Sequence, residues 1–275
     1  MIIVTSATGR LGGLTTTALL ERVPAAEVGV AVRAPEKAAD LAARGVDVRR
    51  GDFADPDGLA EAFAGADTVL LVSAGSLGDE ARRLHTGAIE AAQRAGVRRL
   101  VYTSHQGASP TSAFAPMLTH AETEATLAAS GLRWTALRNG FYASTLDVLR
   151  PQVADGVLRV PGDGPVSWTT HEDLAEAAAL TLLDRDAADG PTPPLTGPEA
   201  LGVGEAIGAR VETVPAAPYV ATMVERGVPE ARAAMVVGMF EAFAAGEFDV
   251  VDPALERLLG RAPLSAVASS GSARG

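Results

Sequence analysis

The sequence contains no cysteine in its 275 residues. This absence excludes disulfide bonds, a thiol nucleophile and a metal site with thiolate ligands. Lysine is almost as scarce, because Lys37 is the only one, so catalytic lysine chemistry is excluded elsewhere in the chain. The four histidines also lack the spacing of metal ligands, and no metal site is expected.

Long apolar runs are missing as well. No stretch approaches the length that spans a bilayer, and the N-terminus lacks the basic segment and apolar core of a secretory signal. Basic residues are the minority, with 23 Lys and Arg against 34 Asp and Glu, for a formal net charge of −11. We therefore expect a soluble, cytoplasmic protein that binds neither nucleic acid nor a membrane surface, since both partners favour a basic surface. A homodimer remains open.

The first thirteen residues combine a buried-strand pattern, a glycine-rich turn and the start of a helix. Ile2 to Val4 form a β-branched run. Gly9 follows where a backbone must approach a pyrophosphate, and Gly12 or Gly13 lets the helix pack close to the strand. An apolar strand at 28–32 completes a βαβ unit, whose helix N-terminus favours an anion. The pattern predicts a nucleotide-phosphate cradle.

Ser6 occupies the place of the first glycine in the usual spacing of this motif. A serine fits there if its backbone φ is negative, whereas a positive φ would strain it. An unstrained cradle therefore requires Ser6 to adopt a negative φ.

The end of the second predicted strand carries a cofactor signal. A site for NAD usually has Asp or Glu here to bind both ribose hydroxyls. This chain has Arg33 instead, with Lys37 nearby, and an arginine at this point suits a 2′-phosphate. We therefore predict NADP(H) as the cofactor in preference to NAD(H). The alternative is that both residues are ordinary solvated charges.

The first half of the chain repeats a pattern of a predicted helix, a glycine that ends it and a strand. Gly45, Gly96 and Gly131 stand where a helix C-cap needs a left-handed φ, and an apolar strand follows each. This alternation predicts an α/β fold with a doubly wound parallel sheet of the Rossmann type. The predicted strands lie near residues 2–5, 28–33, 47–50, 68–73, 99–104 and 132–138.

After residue 138 this repeated pattern of helix, glycine and strand ends. We predict a dinucleotide-binding Rossmann core at 1–138 and a small, mostly helical C-terminal lobe on the substrate side at 139–275. Parts of 166–200 are expected to return to the core. A helical pattern covers about 218–245, and the small-residue tail at 269–275 is expected to fray.

A set of short motifs extends along nearly the whole chain. The motifs are Thr5-Ser-Ala-Thr-Gly-Arg-Leu-Gly12, Val32-Arg-Ala-Pro-Glu-Lys37, Gly51-Asp-Phe53, Leu70-Leu-Val-Ser73, Tyr102-Thr-Ser104, His120-Ala-Glu-Thr-Glu124, Leu137-Arg-Asn-Gly-Phe-Tyr142 and Leu255-Glu-Arg-Leu-Leu-Gly260. Together they resemble one protein family, the NmrA-like branch of the atypical short-chain dehydrogenase/reductases. Within that branch they are similar to the type-2 NAD(P)H:quinone oxidoreductases.

The resemblance implies a set of cofactor-binding residues in the glycine loop, at the strand ends and around the nicotinamide. They are Ser6, Thr8, Gly9, Arg10, Leu11, Arg33, Lys37, Asp52, Phe53, Ser73, Ala74, Gly75, Thr103, Ser104, Asn139, Gly140 and Phe141. Structural alternatives stay open: Asp52 would then only cap a turn, and Phe141 with Tyr142 would be core aromatics.

Most relatives that reduce carbonyls or epimerise sugars use a Tyr-x-x-x-Lys pair. None of the three tyrosines, Tyr102, Tyr142 and Tyr219, has a lysine four residues later. A quinone tolerates that absence, because the charge left by a hydride spreads into an aromatic ring, and positioning supplies most of the catalysis. The candidate catalytic groups are His105, His120 and Tyr142, and each histidine has an equally good structural interpretation.

The resulting hypothesis is an NADPH-dependent oxidoreductase that passes a hydride to a small aromatic, quinone-like or otherwise conjugated acceptor without flavin or metal. One alternative is a tailoring reductase that acts on an aromatic natural product. Another is a non-catalytic NAD(P)-binding redox sensor or regulator of the NmrA type. A serine hydrolase is excluded because the chain has no Gly-x-Ser-x-Gly elbow.

Overall fold

A computed structural model describes residues 1–267, so the predicted frayed tail at 269–275 lies outside the described residues. The strands in that range are β1 (Ile2–Thr5), β2 (Val28–Val32), β3 (Asp47–Arg50), β4 (Thr68–Leu71), β5 (Arg99–His105), β6 (Arg133–Asn139), β7 (Phe141–Tyr142), β8 (Val157–Val160), β9 (Trp168–Thr169), β10 (Gly190–Pro191) and β11 (Arg210–Thr213). The α-helices there are α1 (Arg10–Leu20), α2 (Ala39–Ala43), α3 (Pro56–Phe63), α4 (Gly78–Arg94), α5 (Ala115–Ala129), α6 (Ser144–Leu149), α7 (His171–Leu183), α8 (Val203–Ile207), α9 (Ala216–Glu225), α10 (Glu230–Ala244) and α11 (Ala254–Leu259).

The chain forms two compact units, each assembled from separate segments. The first unit consists of Met1–Ser104, Thr119–Arg138 and His171–Pro193. Within the described residues, the second consists of His105–Leu118, Asn139–Thr170 and 194–267.

The first unit is built on a parallel sheet with the strand order β10-β6-β5-β4-β1-β2-β3. The predicted Rossmann sheet is thereby confirmed. The order reverses between β1 and β4, and ligands of such sheets bind beyond the carboxyl ends of the strands at this switch point. The fold therefore places a binding crevice directly after β1.

Helices cover both faces of this sheet. On one face the fully buried Ile3, Val69 and Leu100 pack with Phe63 of α3 and Ile89 of α4. On the other face α1 packs against α7. Both faces are apolar, which is why the strands read as nearly continuous hydrophobic runs.

The predicted glycine stops are also present. Gly45, Gly96 and Gly131 follow α2, α4 and α5, and their φ values are +88°, +69° and +74°. Only glycine adopts this left-handed conformation without a Cβ penalty, so each helix ends where the sequence indicated.

The second unit is centred on a cluster of aromatic side chains. Phe141 lies edge-on to Phe243, Phe248 and Trp168, with ring centroids 5.0, 5.1 and 5.5 Å apart. Around this cluster lie helices together with two short parallel sheets, β8 with β11 and β7 with β9. Aromatic pairs in this geometry stabilise a folded unit by more than the burial of their surface area alone. They therefore stabilise the core of a unit that contains little regular sheet.

The predicted helical pattern at 218–245 is helical in the structure, although it does not form one continuous helix. It is two helices, α9 and α10, separated at Gly227, whose φ is +86°, and at Pro229, which precedes α10. The apolar spacing continues across the break, but a left-handed glycine and a proline both end a helix. None of the helices in 1–267 is both long and apolar enough to cross a membrane.

Candidate functional site

A cavity of about 470 Å³ opens at the carboxyl ends of β1, β2, β3 and β4 in the first unit. Each strand contributes the residues that directly follow it, as expected at a switch point. The lining residues are Ser6, Thr8, Gly9, Ala31, Val32, Arg33, Gly51, Asp52, Phe53, Ser73, Ala74, Gly75, Ser76 and Leu84. Nine of the predicted cofactor residues are among them, so residues far apart in sequence share one site.

The glycines of the first loop allow backbone segments to approach closely. A Cβ on Gly12 would lie 2.5 Å from the carbonyl oxygen of Ser6 and 2.9 Å from that of Thr5. A Cβ on Gly9 would lie 3.2 Å from the same Ser6 oxygen. Helix α1 therefore begins directly against the end of β1, with the unpaired N–H groups of its first turn at the cavity.

The condition for an unstrained Ser6 is not met, because the residue has a positive φ of +54°. Two backbone hydrogen bonds accompany this left-handed conformation. Ser6 N donates to Ala31 O at 3.1 Å, and Gly9 N donates to Ser6 O at 2.8 Å. A non-glycine residue in this region costs about 1–2 kcal/mol. The turn therefore keeps the backbone path of a glycine loop despite the serine, and the surrounding contacts offset the strain.

Arg33 and Asp52 give the cavity its charged groups. Arg33 is exposed, and its guanidinium forms no ion pair with any residue in 1–267. Asp52 has two roles. Its Oδ1 accepts a hydrogen bond from Ala54 N at 3.0 Å and so caps a turn, and the residue also lines the cavity. A free guanidinium at the end of β2 is available to an anionic ligand.

Eight of the predicted cofactor residues do not line this cavity, and three of them belong to the glycine loop and the segment after β2. Arg10 Nη2 lies 3.5 Å from Glu172 Oε1 in an ion pair, the side chain of Leu11 in the first turn of α1 is buried, and Lys37 is exposed in the turn after Arg33. Whether these residues contact a cofactor stays a prediction.

Hydrogen bonds between strands position the wall that follows β4. Thr5 Oγ1 donates to Leu70 O at 3.0 Å and accepts from Val72 N at 2.9 Å. Thr103 Oγ1, at the end of β5, accepts from Ser73 N at 2.8 Å. Thr103 therefore lies behind the cavity wall and holds Ser73 in place.

His85 is a positioning residue that the sequence did not indicate. Its ring is buried in α4, and Nε2 accepts from Ala74 N at 2.8 Å. Nδ1 lies 2.9 Å from Thr123 Oγ1, whose own proton goes to Thr119 O at 2.8 Å. Since Nε2 must accept and Nδ1 must donate, the ring is neutral with its proton on Nδ1. His85 therefore fixes the Ala74 segment of the wall.

Burial lowers the pKa of His85 to about 4. The pKa of a histidine in the unfolded chain is about 6.5, so the neutral ring's contribution to stability is complete above that pH and is lost as pH falls toward 4. We predict that the wild-type protein loses about 2.5 kcal/mol more free energy of unfolding between pH 7.5 and 4.5 than the His85→Gln variant. Urea unfolding at the two pH values measures this difference.

Glutamine is the appropriate replacement because its amide oxygen can accept from Ala74 N and it does not titrate. His105 and His171, whose pKa values are also lowered by burial, are present in both proteins and cancel. Parallel pH dependences of the two proteins would contradict the assignment.

Ser104 belongs to a buried polar network. Its hydroxyl donates to Glu124 Oε1 at 2.6 Å, and Arg138 binds the same carboxylate through Nε at 3.1 Å and Nη2 at 2.7 Å. The hydrogen bonds that Arg138 donates to Glu124 raise the pKa of Arg138. The hydroxyl proton of Ser104 is thus committed, and only its lone pairs are available to a ligand.

His120 lies on α5, where its Nδ1 is 2.8 Å from the hydroxyl of Tyr102. Tyr102 is fully buried, and its ring also lies edge-on to His85 at 5.4 Å. Tyr102 therefore contributes to the core, with His120 as a partner of its hydroxyl.

His105 lies in the second unit, with its ring edge-on to Phe141 and Phe248 at 5.2 and 5.3 Å. Burial lowers its pKa to about 3, so the ring is neutral at physiological pH. Nδ1 accepts from Gly107 N at 3.2 Å, which leaves the ring proton on Nε2. His105 can donate a hydrogen bond but does not carry an extra proton near pH 7.

Residues 139–142 form a tight segment of the second unit. A Cβ on Gly140 would overlap the Thr169 hydroxyl and lie 2.8 Å from Leu195 O, so only glycine fits. Burial raises the pKa of Tyr142, and a hydrogen bond with Asn139 partly opposes this shift. Oδ1 of Asn139 is buried and accepts no hydrogen bond within 1–267. Tyr142 is therefore a phenol at neutral pH, beside an unused acceptor.

A parallel sheet with the order 3-2-1-4-5-6, a glycine turn after its first strand and a cavity at its carboxyl edge define a dinucleotide-binding Rossmann protein. A family model described as NAD(P)H-binding matches residues 6–184, and the chain belongs to this family.

Individual relatives are reductases. The chain is 38% identical to quinone oxidoreductase 2 of Escherichia coli over 67% of this chain, and the match spans 64% of that protein's length. It is 32% identical to an NAD(P)H azoreductase of Xenophilus azovorans, over 89% of this chain and 84% of that one.

The structure is similar to a crystal structure of an NADPH-dependent quinone oxidoreductase from E. coli complexed with NADPH. The TM-score is 0.89 at 31% identity, over 98% of this chain and 99% of that one. It is also similar to Citrobacter sp. triphenylmethane reductase complexed with NADP(H), with a TM-score of 0.86 at 29% identity, over 99% and 100% of the two chains.

The residues of the cavity fit such a cofactor. The glycine cradle would be filled by a Cβ at Gly12, and Arg33 offers a cation without a partner in the described chain. The sequence missed Ala31, Val32, Gly51, Ser76 and Leu84. Val32, Gly51 and Ser76 each adjoin a predicted residue, so extending each predicted segment by one residue would have found them, and Ala31 is one position further back in β2. Leu84 comes from the face of α4, which no local pattern assigns to the site.

Proposed function

We propose that this protein is an NADPH-dependent oxidoreductase that passes a hydride to a quinone-like or other conjugated aromatic acceptor. The observation that carries the proposal is the cavity of the first unit, where the Gly9 to Gly12 cradle and the unpaired Arg33 lie together. The relatives support the acceptor class, because their names refer to quinone, azo and triphenylmethane compounds.

The first unit holds the cofactor in this proposal. Thr8 and Gly9 bind the pyrophosphate at the start of α1, and Arg33 binds the 2′-phosphate. Asp52 and Phe53 contact the adenine side, and 73–75 contact the ribose. Asn139, Gly140 and Phe141 are assigned to the nicotinamide on the resemblance alone. Bound NADPH supplies the hydride.

Tyr142 is the proton donor of this proposal. Transfer of a hydride leaves negative charge on the acceptor, and a donor at the acceptor oxygen stabilises it. Tyr142 keeps its proton at neutral pH, because the ordinary pKa of a tyrosine is about 10 and burial raises it further. Neutral His105 donates a hydrogen bond from Nε2 but cannot serve as an imidazolium, since its pKa is about 3.

We expect the purified protein to oxidise NADPH when small benzoquinones or polycyclic quinones are present. Tyr142→Phe is expected to lower kcat about 100-fold, which is the usual size of a lost general acid. The KM for NADPH is expected to stay nearly constant, because the phenol acts on the acceptor. Steady-state kinetics followed at the NADPH absorbance measure both quantities.

The acceptor panel also separates the alternatives. Tight binding of both NADPH and NADP⁺ without turnover on any acceptor would overturn the proposal and favour a redox sensor. Strong preference for polycyclic over small quinones would favour a tailoring reductase. A Tyr142→Phe variant with unchanged kcat would refute the proton donor alone.

A further inference from the structure

The second unit contains a cavity of its own, bounded by α6, α9, α10 and the turn between the last two helices. Its volume is about 850 Å³, which is within the usual range for sites that hold a small organic ligand. Leu149 and Met239 are buried in its walls, and Tyr219 is half-buried there. At its rim, Val148 is 67% exposed, an unusual position for a large apolar side chain.

The walls suit a flat aromatic molecule. Met223, Met235 and Met239 line the cavity, three of the five methionines in the sequence. Methionine side chains adapt to irregular shapes, and their sulfur atoms make favourable contacts with aromatic rings. The ring of Tyr219 packs edge-on against Phe240 with centroids 6.1 Å apart, so it forms a fixed wall beside these adaptable side chains.

The charged side chains that line the cavity are all basic. Arg226 and Arg232 line it, whereas no Asp or Glu does. Neither guanidinium pairs with a carboxylate anywhere in the part of the chain that the structure describes. In a protein with a formal net charge of −11, acidic partners are abundant, so two unpaired arginines on one apolar cavity indicate an anionic ligand.

We propose that this cavity binds a flat aromatic molecule that carries an anionic group such as a sulfonate or carboxylate. The aromatic part lies against the methionines and Tyr219, and the anionic group is bound by Arg226 and Arg232. The site is formed entirely by the second unit, and its proposal does not depend on the proposed reductase function.

The test uses a matched pair of fluorescent probes that are not hydride acceptors, in the absence of NADPH. The anionic probe is 8-anilinonaphthalene-1-sulfonate, and its uncharged parent is N-phenyl-1-naphthylamine. We expect the wild-type protein to bind the sulfonate at least about tenfold more tightly than the parent, the effect of one charge-assisted contact. The double variant Arg226→Gln, Arg232→Gln is expected to lose this preference and retain its affinity for the parent.

Arg210→Gln is the matched control, because Arg210 is an exposed arginine of the second unit that does not line the cavity. The control should bind both probes as the wild type does. Equal affinity of the wild type for the two probes, or an unchanged sulfonate preference in the double variant, would overturn the proposal. So would a dimer in sedimentation that must dissociate before the probe binds, since a second copy would then cover the cavity.

Failure here is distinguishable from failure of the proposed function. Probe binding requires no cofactor, whereas reduction of an uncharged benzoquinone by NADPH does not require Arg226 or Arg232.

Discussion

Replacing Gly12 with alanine is expected to weaken NADPH binding at least about 100-fold and to destabilise the protein. The new methyl group would lie 2.5 Å from Ser6 O, 2.8 Å from Ser6 C and 2.9 Å from Thr5 O. These are backbone atoms at the end of β1, so no side-chain rotation relieves the overlap. Helix α1 must shift away from the strand, and the first-turn N–H groups move with it. The displacement should affect both binding and folding.

The stability change has two opposing contributions. Overpacking of this kind costs about 1–3 kcal/mol, whereas alanine gains up to about 1 kcal/mol over glycine inside a helix. The sum remains destabilising because the clash is with backbone. Titration calorimetry with NADPH and urea unfolding measure the two effects.

Gly87→Ala provides the matched control. Gly87 is also inside a helix, α4, but a Cβ there would meet its nearest neighbour, Pro56 Cγ, at an ordinary 3.4 Å. This variant should be equal to or more stable than the wild type, by up to about 1 kcal/mol. If Gly12→Ala bound NADPH within threefold of the wild type, the loop after β1 would not be the phosphate cradle.

Replacing Arg33 with aspartate is expected to reverse the cofactor preference. The guanidinium lines the cavity directly after β2 and forms no ion pair within 1–267, so it is available for a 2′-phosphate. A lost bidentate contact to a phosphate corresponds to about 2–3 kcal/mol, and aspartate adds repulsion. We expect the affinity for NADPH to fall about 100-fold or more. The affinity for NADH should rise about tenfold, because a carboxylate at this position can accept from both ribose hydroxyls.

Dissociation constants for NADPH and NADH, measured on the same preparations, test this reversal. Arg44→Asp is the control for the change in net charge, since Arg44 is an exposed arginine at the end of α2 that does not line the cavity. It should leave the ratio of the two constants near that of the wild type. If Arg33→Asp also left the ratio unchanged, Arg33 would lie outside the binding site.

The sequence was most informative where one local rule decides the structure. The strands were predictable because their faces are both covered, and buried parallel strands leave continuous apolar runs such as 28–32. Gly45, Gly96 and Gly131 marked helix ends because a left-handed φ favours glycine. The sequence also predicts that Ser6, Arg33, Asp52 and their neighbours lie together, because each follows a strand and the carboxyl ends of parallel strands share one edge of the sheet.

Sequence reasoning was less informative in two places, for different reasons. Ser6 takes a positive φ because its N–H and carbonyl are both bonded, to Ala31 and Gly9, and a serine considered alone would avoid that conformation. Here contacts in space determine the backbone conformation. The apolar pattern at 218–245 continues through a break, because apolar spacing alone does not show the helix stop at Gly227 and Pro229.

The sequence by itself determined the class of fold, the glycine-rich turn after β1 and the charge at the end of β2, because each depends on residue types at adjacent positions. Only the tertiary structure decided that His85 supports the cavity wall through Ala74, and that two arginines lie unpaired on an apolar cavity of the second unit. The physical reason is that a hydrogen bond or an unpaired charge is defined by what surrounds it in three dimensions, and sequence spacing does not specify those surroundings.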